Sequence, residues 1–558
     1  MLPSTENSKS RFSVFGYSRI KNIVWRFSKR GFGATAWILC LLAWASPVSA
    51  TALDDYVAAP DSHYTYSLNN TISGPGFTAY VLNMISQQWR TSADIEEGGE
   101  GGTIWQHWLT VFVPDDIDGN IAFLYINGGN NGRAAPTSWR DGGELEMLAG
   151  FASDTDTVVA NLGQIPNQRI KFTDEPHPES FPNGRTEDEL IAYAWDKFLT
   201  TADATWLPRL PMTKAVVRAM DTIQAYVPTV TSPSTTIDGF VVSGASKRGW
   251  TTWTTAAVDS RVIAIVPLVI DLLNVEVSFY HHWSALGFWA AAVHDYEDMG
   301  IMDWMGTPEI HSLWEIVDPY WYRDRYTMPK YIVNSSGDDF FLPDSSQFYF
   351  NDLPGEKHLR YVSNTDHGLN GDAMNSMLAY YKGILAGASL PQFSWTLEGD
   401  DSIRVLTNPL DPPSEVNLWQ ATNLSARDFR KKPYPWQGHP APTPVWTSSS
   451  LSSQGNGVYI GQVSKPPTGW TAFFVELVYD SGGANPYKFT TEINVVPYYL
   501  PFSCDFDRDG DTDLSDLDVF ADQWLATGEL SADVVPKTGD GTVDFLDFNT
   551  FGRNWPKQ

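Results

Sequence analysis

The hydrophobic pattern of the chain changes period several times. Between about residues 105 and 390, short apolar runs alternate with longer amphipathic ones. Trp108 to Pro114, Ile121 to Asn127 and Thr157 to Leu162 read as strands, and the second is apolar enough to be buried on both faces. Glu187 to Thr200 and Met212 to Tyr226 have helical spacing. The first is opened by Thr186-Glu187-Asp188-Glu189 and the second by Pro211. Ile237 to Ser243, Val262 to Val269, Tyr331 to Ser335 and His358 to Ser363 continue the strand series. Strands separated by helices require parallel crossovers, so this part predicts an α/β fold: a mostly parallel sheet flanked by helices.

The stretch from about 271 to 330 interrupts that rhythm with Trp, Tyr, His and Met, and predicts a helical lid. After about residue 392 the pattern turns all-β. Gly457 to Ser464, Trp470 to Tyr479 and Lys488 to Val496 read as strands, with a Pro/Ser-rich connection over Lys432 to Asn456. The expected division is a leader over 1–50, an α/β domain over 51–391, a small β-rich, sandwich-like domain over 392–500 and an acidic module over 501–558.

Composition changes the picture in two places. The chain of 558 residues carries a formal net charge of −29, yet residues 1–50 hold seven basic residues against Glu6 alone. The remainder is therefore even more acidic, which disfavours nucleic acid and anionic membrane surfaces as partners. The basic leader precedes an apolar run from Ala34 to Ala45 and the small residues Val48-Ser49-Ala50, the pattern of a cleaved export signal. Twelve apolar residues are too few to span a bilayer, so a secreted, extracellular or periplasmic protein is expected. Of the two cysteines, Cys40 lies in the leader, so Cys504 has no intramolecular partner after cleavage.

The catalytic signal is Gly244-Ala245-Ser246-Lys247-Arg248-Gly249-Trp250, placed where an apolar strand runs into a helical segment. Small residues suit a sharp turn that exposes a serine, although the second glycine stands at +3 rather than the usual +2. A strand ending in Gly337-Asp338-Asp339 follows, and then one leading to Asn364-Thr365-Asp366-His367-Gly368. Serine, acid and histidine in that order, each just past a strand, predict a Ser246, Asp338, His367 triad in an α/β-hydrolase. Asp339 is the alternative acid. The expected oxyanion donors are the N–H of Lys247 and those of Gly128 and Gly129, in the glycine-rich loop after the buried strand. The residues exclude a zinc protease, since no HExxH-like spacing accompanies His281, His282, His294 and His311. They also offer no phosphate-binding loop and no well-placed glycosidase carboxylate pair.

Residues of about 60–500 resemble the PhoPQ-activated pathogenicity-related proteins, a bacterial group with an α/β-hydrolase core. The likeness rests on the serine motif, on Gly337-Asp338 with Phe340-Phe341-Leu342-Pro343-Asp344, on His367-Gly368-Leu369 and on Gly469-Trp470-Thr471-Ala472-Phe473-Phe474-Val475-Glu476. It implies Asp338 as the triad acid. The elbow also resembles that of glucuronoyl esterases, which implies that Lys247 or Arg248 assists the oxyanion or binds a carboxylate. Three functions are compatible with these residues: an esterase acting on polysaccharide-linked or other extracellular esters, a secreted serine peptidase, and a non-enzymatic binding or surface-assembly protein with a vestigial triad.

The last signal is a run of acids at metal-ligand spacing. Asp505, Asp507, Asp509, Asp513 and Asp516 fall at positions 1, 3, 5, 9 and 12 of a loop with Gly510 at position 6 and Asp511 at 7, as Ca²⁺ requires. A second loop contains Asp540, Asp544 and Asp547, but strict spacing puts Pro536 at position 1, so Asp533 is its candidate first ligand. The amphipathic run Leu517 to Leu525 lies between them. The paired loops resemble a type I dockerin over about 503–555, which implies structural Ca²⁺ and a cohesin-like protein partner.

Overall fold

The computed structural model describes residues 50–97, 101–369, 371–431 and 444–502, and of the C-terminal stretch 504, 506, 514–528, 530–534, 541–544, 547–548 and 551. Nine strands form the main sheet: β1 (Thr65–Gly74), β2 (Phe77–Gln88), β3 (Ile104–Pro114), β4 (Ile121–Ile126), β5 (Val159–Leu162), β6 (Gly239–Ala245), β7 (Val262–Leu268), β8 (Lys330–Ser335) and β9 (Lys357–Val362). Their order is β1-β2-β3-β5-β4-β6-β7-β8-β9. The pairings from β1 to β5 are antiparallel, and those from β5 through β9 are parallel. This is the mixed α/β architecture that the alternating pattern predicts, with a sheet that is mostly parallel.

The pleat divides the core between the two faces. Leu124, Val242, Ile265 and Ile332 join one apolar cluster, while their neighbours Phe123, Val241, Val266 and Val333 join the other. The first face is covered by α3 (Glu187–Thr201), α4 (Arg209–Val230) and α5 (Lys247–Val258), and the second by α2 (Gly143–Thr155) and α9 (Ala373–Leu385). A short α1 (Ala52–Ala58) packs against α4. Each fully buried Leu, Ile or Val contributes about 1.5–3 kcal/mol, so strands apolar on both sides are stable only in this central position. The stretch between β7 and β8 is helical: α6 (Val275–Leu286), α7 (His294–Asp298) and α8 (Pro308–Val317), joined by 3₁₀ turns.

The remaining strands are antiparallel: β10 (Phe393–Leu397), β11 (Ile403–Thr407), β12 (Glu415–Asn423), β13 (Thr447–Ser450), β14 (Val458–Gly461), β15 (Trp470–Tyr479), β16 (Tyr487–Thr490) and β17 (Asn494–Val496). They make a three-stranded sheet, β10-β11-β14, and a second sheet, β13-β12-β15-β16, with β17 also on β15. The single strand expected over Lys488 to Val496 is in fact two. The Thr491 N–H donates to Val475 O at 2.9 Å while the Thr491 Oγ1 accepts from Val475 N at 3.1 Å, and this local pairing breaks the ladder between β16 and β17. The antiparallel region lies over β9 at the edge of the main sheet. Tyr331 Oη donates to Lys488 O at 2.7 Å, and the Phe489 ring stacks on His358 with centroids 4.2 Å apart. Both regions contribute to one apolar cluster, so the edge strand is covered rather than exposed. The final helix, α10 (Leu514–Gln523), belongs to the acidic C-terminal stretch.

Among the described residues, no helix is long and apolar enough to cross a membrane. The expected leader, residues 1–49, lies outside the described residues.

Candidate active site

β6 ends at Ala245 and α5 begins at Lys247, so a single residue, Ser246, makes the whole turn. Its backbone sits at φ 57° and ψ −125°, outside the regions a non-glycine residue normally occupies, at a cost of about 1–3 kcal/mol. The flanking glycines explain how the turn is tolerated. A Cβ on Gly244 would lie 2.8 Å from Arg248 O, and one on Gly249 would lie 2.9 Å from both Gly244 O and Leu268 O. The glycine at +3 therefore supplies the close approach of helix to strand, which accounts for its displacement from the usual spacing. Ser246 N donates to Leu268 O at 2.8 Å and anchors the elbow to β7.

Asp338 follows β8 and His367 follows β9, so both lie at the same C-terminal end of the parallel strands as Ser246. His367 Nδ1 is 2.9 and 3.0 Å from the two Asp338 carboxylate oxygens. Asp338 is 4% exposed, and its Oδ1 also accepts the Phe340 and Phe341 N–H groups at 2.8 and 3.3 Å. Of the two adjacent acids, Asp338 is the one that holds the imidazole. Asp339 adds negative charge nearby. Burial pushes the His367 pKa down, but the charge and hydrogen bond of Asp338 and the charge of Asp339 outweigh it, and the net shift is upward. The Phe340 ring lies over the imidazole with centroids 4.3 Å apart. Ser246 Oγ makes no hydrogen bond among the described residues, so the serine–histidine contact is not closed here.

Asp338, Asp339 and His367 also meet the spacing of a cation site, their ligand atoms lying within 4.8 Å of one another. The bond between Asp338 and Nδ1 already engages the atoms a cation would use, so the arrangement suits an oriented imidazole better.

The expected oxyanion donors divide. The N–H groups of Lys247 and Gly129 make no hydrogen bond among the described residues, whereas Gly128 N donates to Asn127 Oδ1 at 2.8 Å. Gly128 is thus not a free donor, contrary to the expectation. It is glycine because the Arg248 guanidinium packs on it: a Cβ there would lie 2.5 Å from Nη2. Gly129 stands at φ +121°, a conformation that suits glycine.

The two cations after the serine, which the resemblance implies assist the oxyanion or bind a carboxylate, are paired with carboxylates of the chain itself. Lys247 Nζ lies 3.1 Å from Glu187 Oε2 and 2.8 Å from Asp188 Oδ2. Arg248 Nη2 lies 2.5 Å from Glu187 Oε1, and its Nε donates to Ile165 O at 2.5 Å. Glu187 also accepts from Gln168 Nε2 at 2.7 Å and returns its own N–H to Gln168 Oε1 at 2.7 Å. This one carboxylate therefore ties the start of α5 to the loop opposite it. Burial alone would raise its pKa, but the charges of Arg248 and Lys247 and two side-chain hydrogen bonds bring it down to about 2. Asp188 extends the chain of contacts, accepting from Tyr296 Oη on α7 at 2.9 Å. Sequence reasoning missed Glu187. Its only signal is the acidic opening of α3, which reads equally well as helix capping.

The expected metal ligands of the acidic module fall partly outside the described residues: Asp505, Asp507, Asp509, Asp511, Asp513 and Asp540 lie there. The placed ones show a repeated closure. The Phe506 N–H donates to the Asp516 carboxylate, and the Val534 N–H donates to that of Asp547 at 2.7 Å. Asp544 N also donates to Asp547, at 2.8 Å, and Gly541 N donates to Asp533 at 2.6 Å. Asp533, three residues before Pro536, thus holds the Gly541 N–H. Leu525 N to Val543 O at 2.9 Å ties the segments together over a core of Cys504, Phe506, Phe520, Ala532, Val543 and Phe551.

The Glu187 arrangement predicts a pH signature. A carboxylate held near 2 against an ordinary 4.5 stabilises the fold fully above pH 4.5, and loses that contribution as the pH falls toward 2. Glu187→Gln is expected to be less stable than wild type near neutrality and to approach it at pH 3, as measured by urea denaturation at both pH values. An equal stability difference at both would contradict the assignment.

Known proteins resemble this chain at several levels. Autocrine proliferation repressor protein A of Dictyostelium discoideum is 38% identical over 488 residues, 84% of this chain and 95% of that protein. Among solved structures, the acetyl xylan esterase from Paenibacillus sp. R4 aligns at TM-score 0.41 and 14% identity, covering 60% of this chain and 92% of its own. The glucuronoyl esterase from Solibacter usitatus aligns at TM-score 0.36 and 12% identity, over 59% and 90%. At such scores the two esterases carry no argument about chemistry. The model of the PhoPQ-activated pathogenicity-related proteins matches residues 53–430, more than half of the chain, and the protein belongs to that family.

Proposed function

We propose that this protein is a secreted serine esterase acting on extracellular, polysaccharide-linked esters through Ser246, His367 and Asp338. The observation that carries the reading is the buried pairing of Asp338 with His367 Nδ1 at the same sheet end as the strained elbow of Ser246. With Nδ1–H bound to Asp338, the imidazole presents Nε2 as a base. Nε2 takes the Ser246 proton as Oγ attacks the ester carbonyl. The N–H groups of Lys247 and Gly129 are the donors for the resulting oxyanion. The imidazolium then protonates the leaving alcohol, and water repeats the sequence on the acyl-enzyme. Glu187 and Asp188 neutralise Lys247 and Arg248 and hold them in place, so the elbow stays rigid while charge develops.

The raised pKa of His367 sets the pH dependence. The base must be neutral, so kcat/KM for a short-chain aryl ester is expected to rise with pH, with a midpoint above the ordinary 6.5. Ser246→Ala and His367→Ala each lower turnover by about 10⁶, and Asp338→Asn by about 10⁴. Substantial turnover by Ser246→Ala would contradict the mechanism.

The same reading makes the C-terminal stretch a structural Ca²⁺ module of dockerin type, with a cohesin-like protein as its partner. Carboxylates are the ligands a hard cation takes, and both loops place a closing acid, Asp516 or Asp547, over the second N–H of the loop. Asp533 and Asp544 join Asp547 in the second loop, and Asp505, Asp507, Asp509 and Asp513 supply the first. Calorimetric titration of the full chain with Ca²⁺ is expected to show about two ions bound, falling to about one in Asp547→Ala. No binding heat in the wild-type chain would refute the module's role.

A further inference from the structure

A cavity of about 410 Å³ opens at the C-terminal end of β9, where the main sheet meets β12, β15 and β16. That is the end of the sheet where ligands of parallel α/β folds gather, and the volume falls in the range of small-molecule sites. Its rim includes Ser363, Asn364 and Thr365, the segment that leads directly into His367.

Its polar groups form a balanced set. Arg360, buried on β9, pairs with Asp372, and Lys488 Nζ pairs with the other oxygen of Asp372 at 2.7 Å. Glu476 is only 8% exposed and lines the cavity. Its Oε1 accepts from Trp419 Nε1 at 3.3 Å and from Asn417 Nδ2 at 3.5 Å. Its Oε2 makes no hydrogen bond and no ion pair among the described residues. With no partner in the protein, that oxygen is open to a ligand that can donate to it. The Trp419 ring lines the same space.

This chemistry selects the ligand. A free phosphate or carboxylate would meet Glu476 and Asp372, and a cation would meet Arg360 and Lys488. The two positive and two negative groups leave no net charge to attract either. A neutral ring carrying several hydroxyls, each both donor and acceptor, satisfies Glu476 Oε2 and the Lys488 ammonium together, while its apolar face covers the indole of Trp419. We propose that this cavity is a saccharide subsite that binds one neutral sugar unit beside the His367 loop. The inference deepens the esterase reading by placing a sugar of the ester's carrier chain, but binding itself does not require Ser246 to act.

The test is saturation-transfer difference NMR on the full chain carrying Ser246→Ala, with xylotetraose, cellotetraose and mannotetraose as probes. At least one is expected to receive saturation at its ring protons. Trp419→Ala and Glu476→Gln in that background are expected to weaken its binding by about tenfold or more each. Trp419→Phe, which keeps an aromatic face and the volume of the core, is the control for folding and is expected to retain binding. Absence of transfer to all three sugars, or transfer undiminished in both weakening variants, would overturn the subsite. The esterase reading fails separately, by an absence of Ser246-dependent turnover on simple aryl esters, which contain no sugar.

Discussion

The site depends on one constrained residue. Ser246 makes the turn from β6 to α5 alone, at a backbone conformation that is unfavourable for any side chain. The turn holds because the helix descends onto the strand with no room for a Cβ at Gly244 or Gly249, and because Ser246 N is bonded to β7. Once that turn is set, Arg248 packs on Gly128 of the loop after β4, and Glu187 gathers both Arg248 and Lys247. The Gly128 N–H is held by Asn127 Oδ1, while the N–H of Gly129 makes no hydrogen bond among the described residues. The elbow and the Glu187 clamp on Lys247 and Arg248 are thus consequences of one close contact between a helix and a parallel strand.

The electrostatics follow the same economy. A strongly acidic chain puts two cations directly after Ser246 and neutralises both with nearby carboxylates. On the opposite side, Asp338 and Asp339 face an imidazole covered by Phe340, and the histidine's pKa rises despite its burial. The contact between Asp188 and Tyr296 links this centre to the helical segment between β7 and β8.

Much of this was legible in the sequence, for physical reasons. Strands buried on both faces are continuous apolar runs, so β4, β6, β7 and β8 stood out, and Ser246 and Asp338 lie just past two of them. β1 did not stand out: it is an edge strand with mostly polar, exposed positions, and its alternation is weak. The split between β16 and β17 depends on Thr491 bonding to a strand far away in sequence. Gly128 was read as a donor because a glycine-rich loop suggests free N–H groups, and only the structure shows Asn127 capping one of them. Glu187 escaped because its partners lie 19, 60 and 61 residues away, and no local pattern encodes that convergence. The choice between Asp338 and Asp339 likewise required the imidazole's position.

The central claim, that Ser246 is an activated nucleophile, is tested most directly by reacting the full chain with a fluorophosphonate and mapping the adduct by peptide mass spectrometry. The account predicts a single adduct on Ser246 that is absent when His367 is replaced by alanine. Labelling elsewhere, or none in a folded wild-type chain, would contradict it.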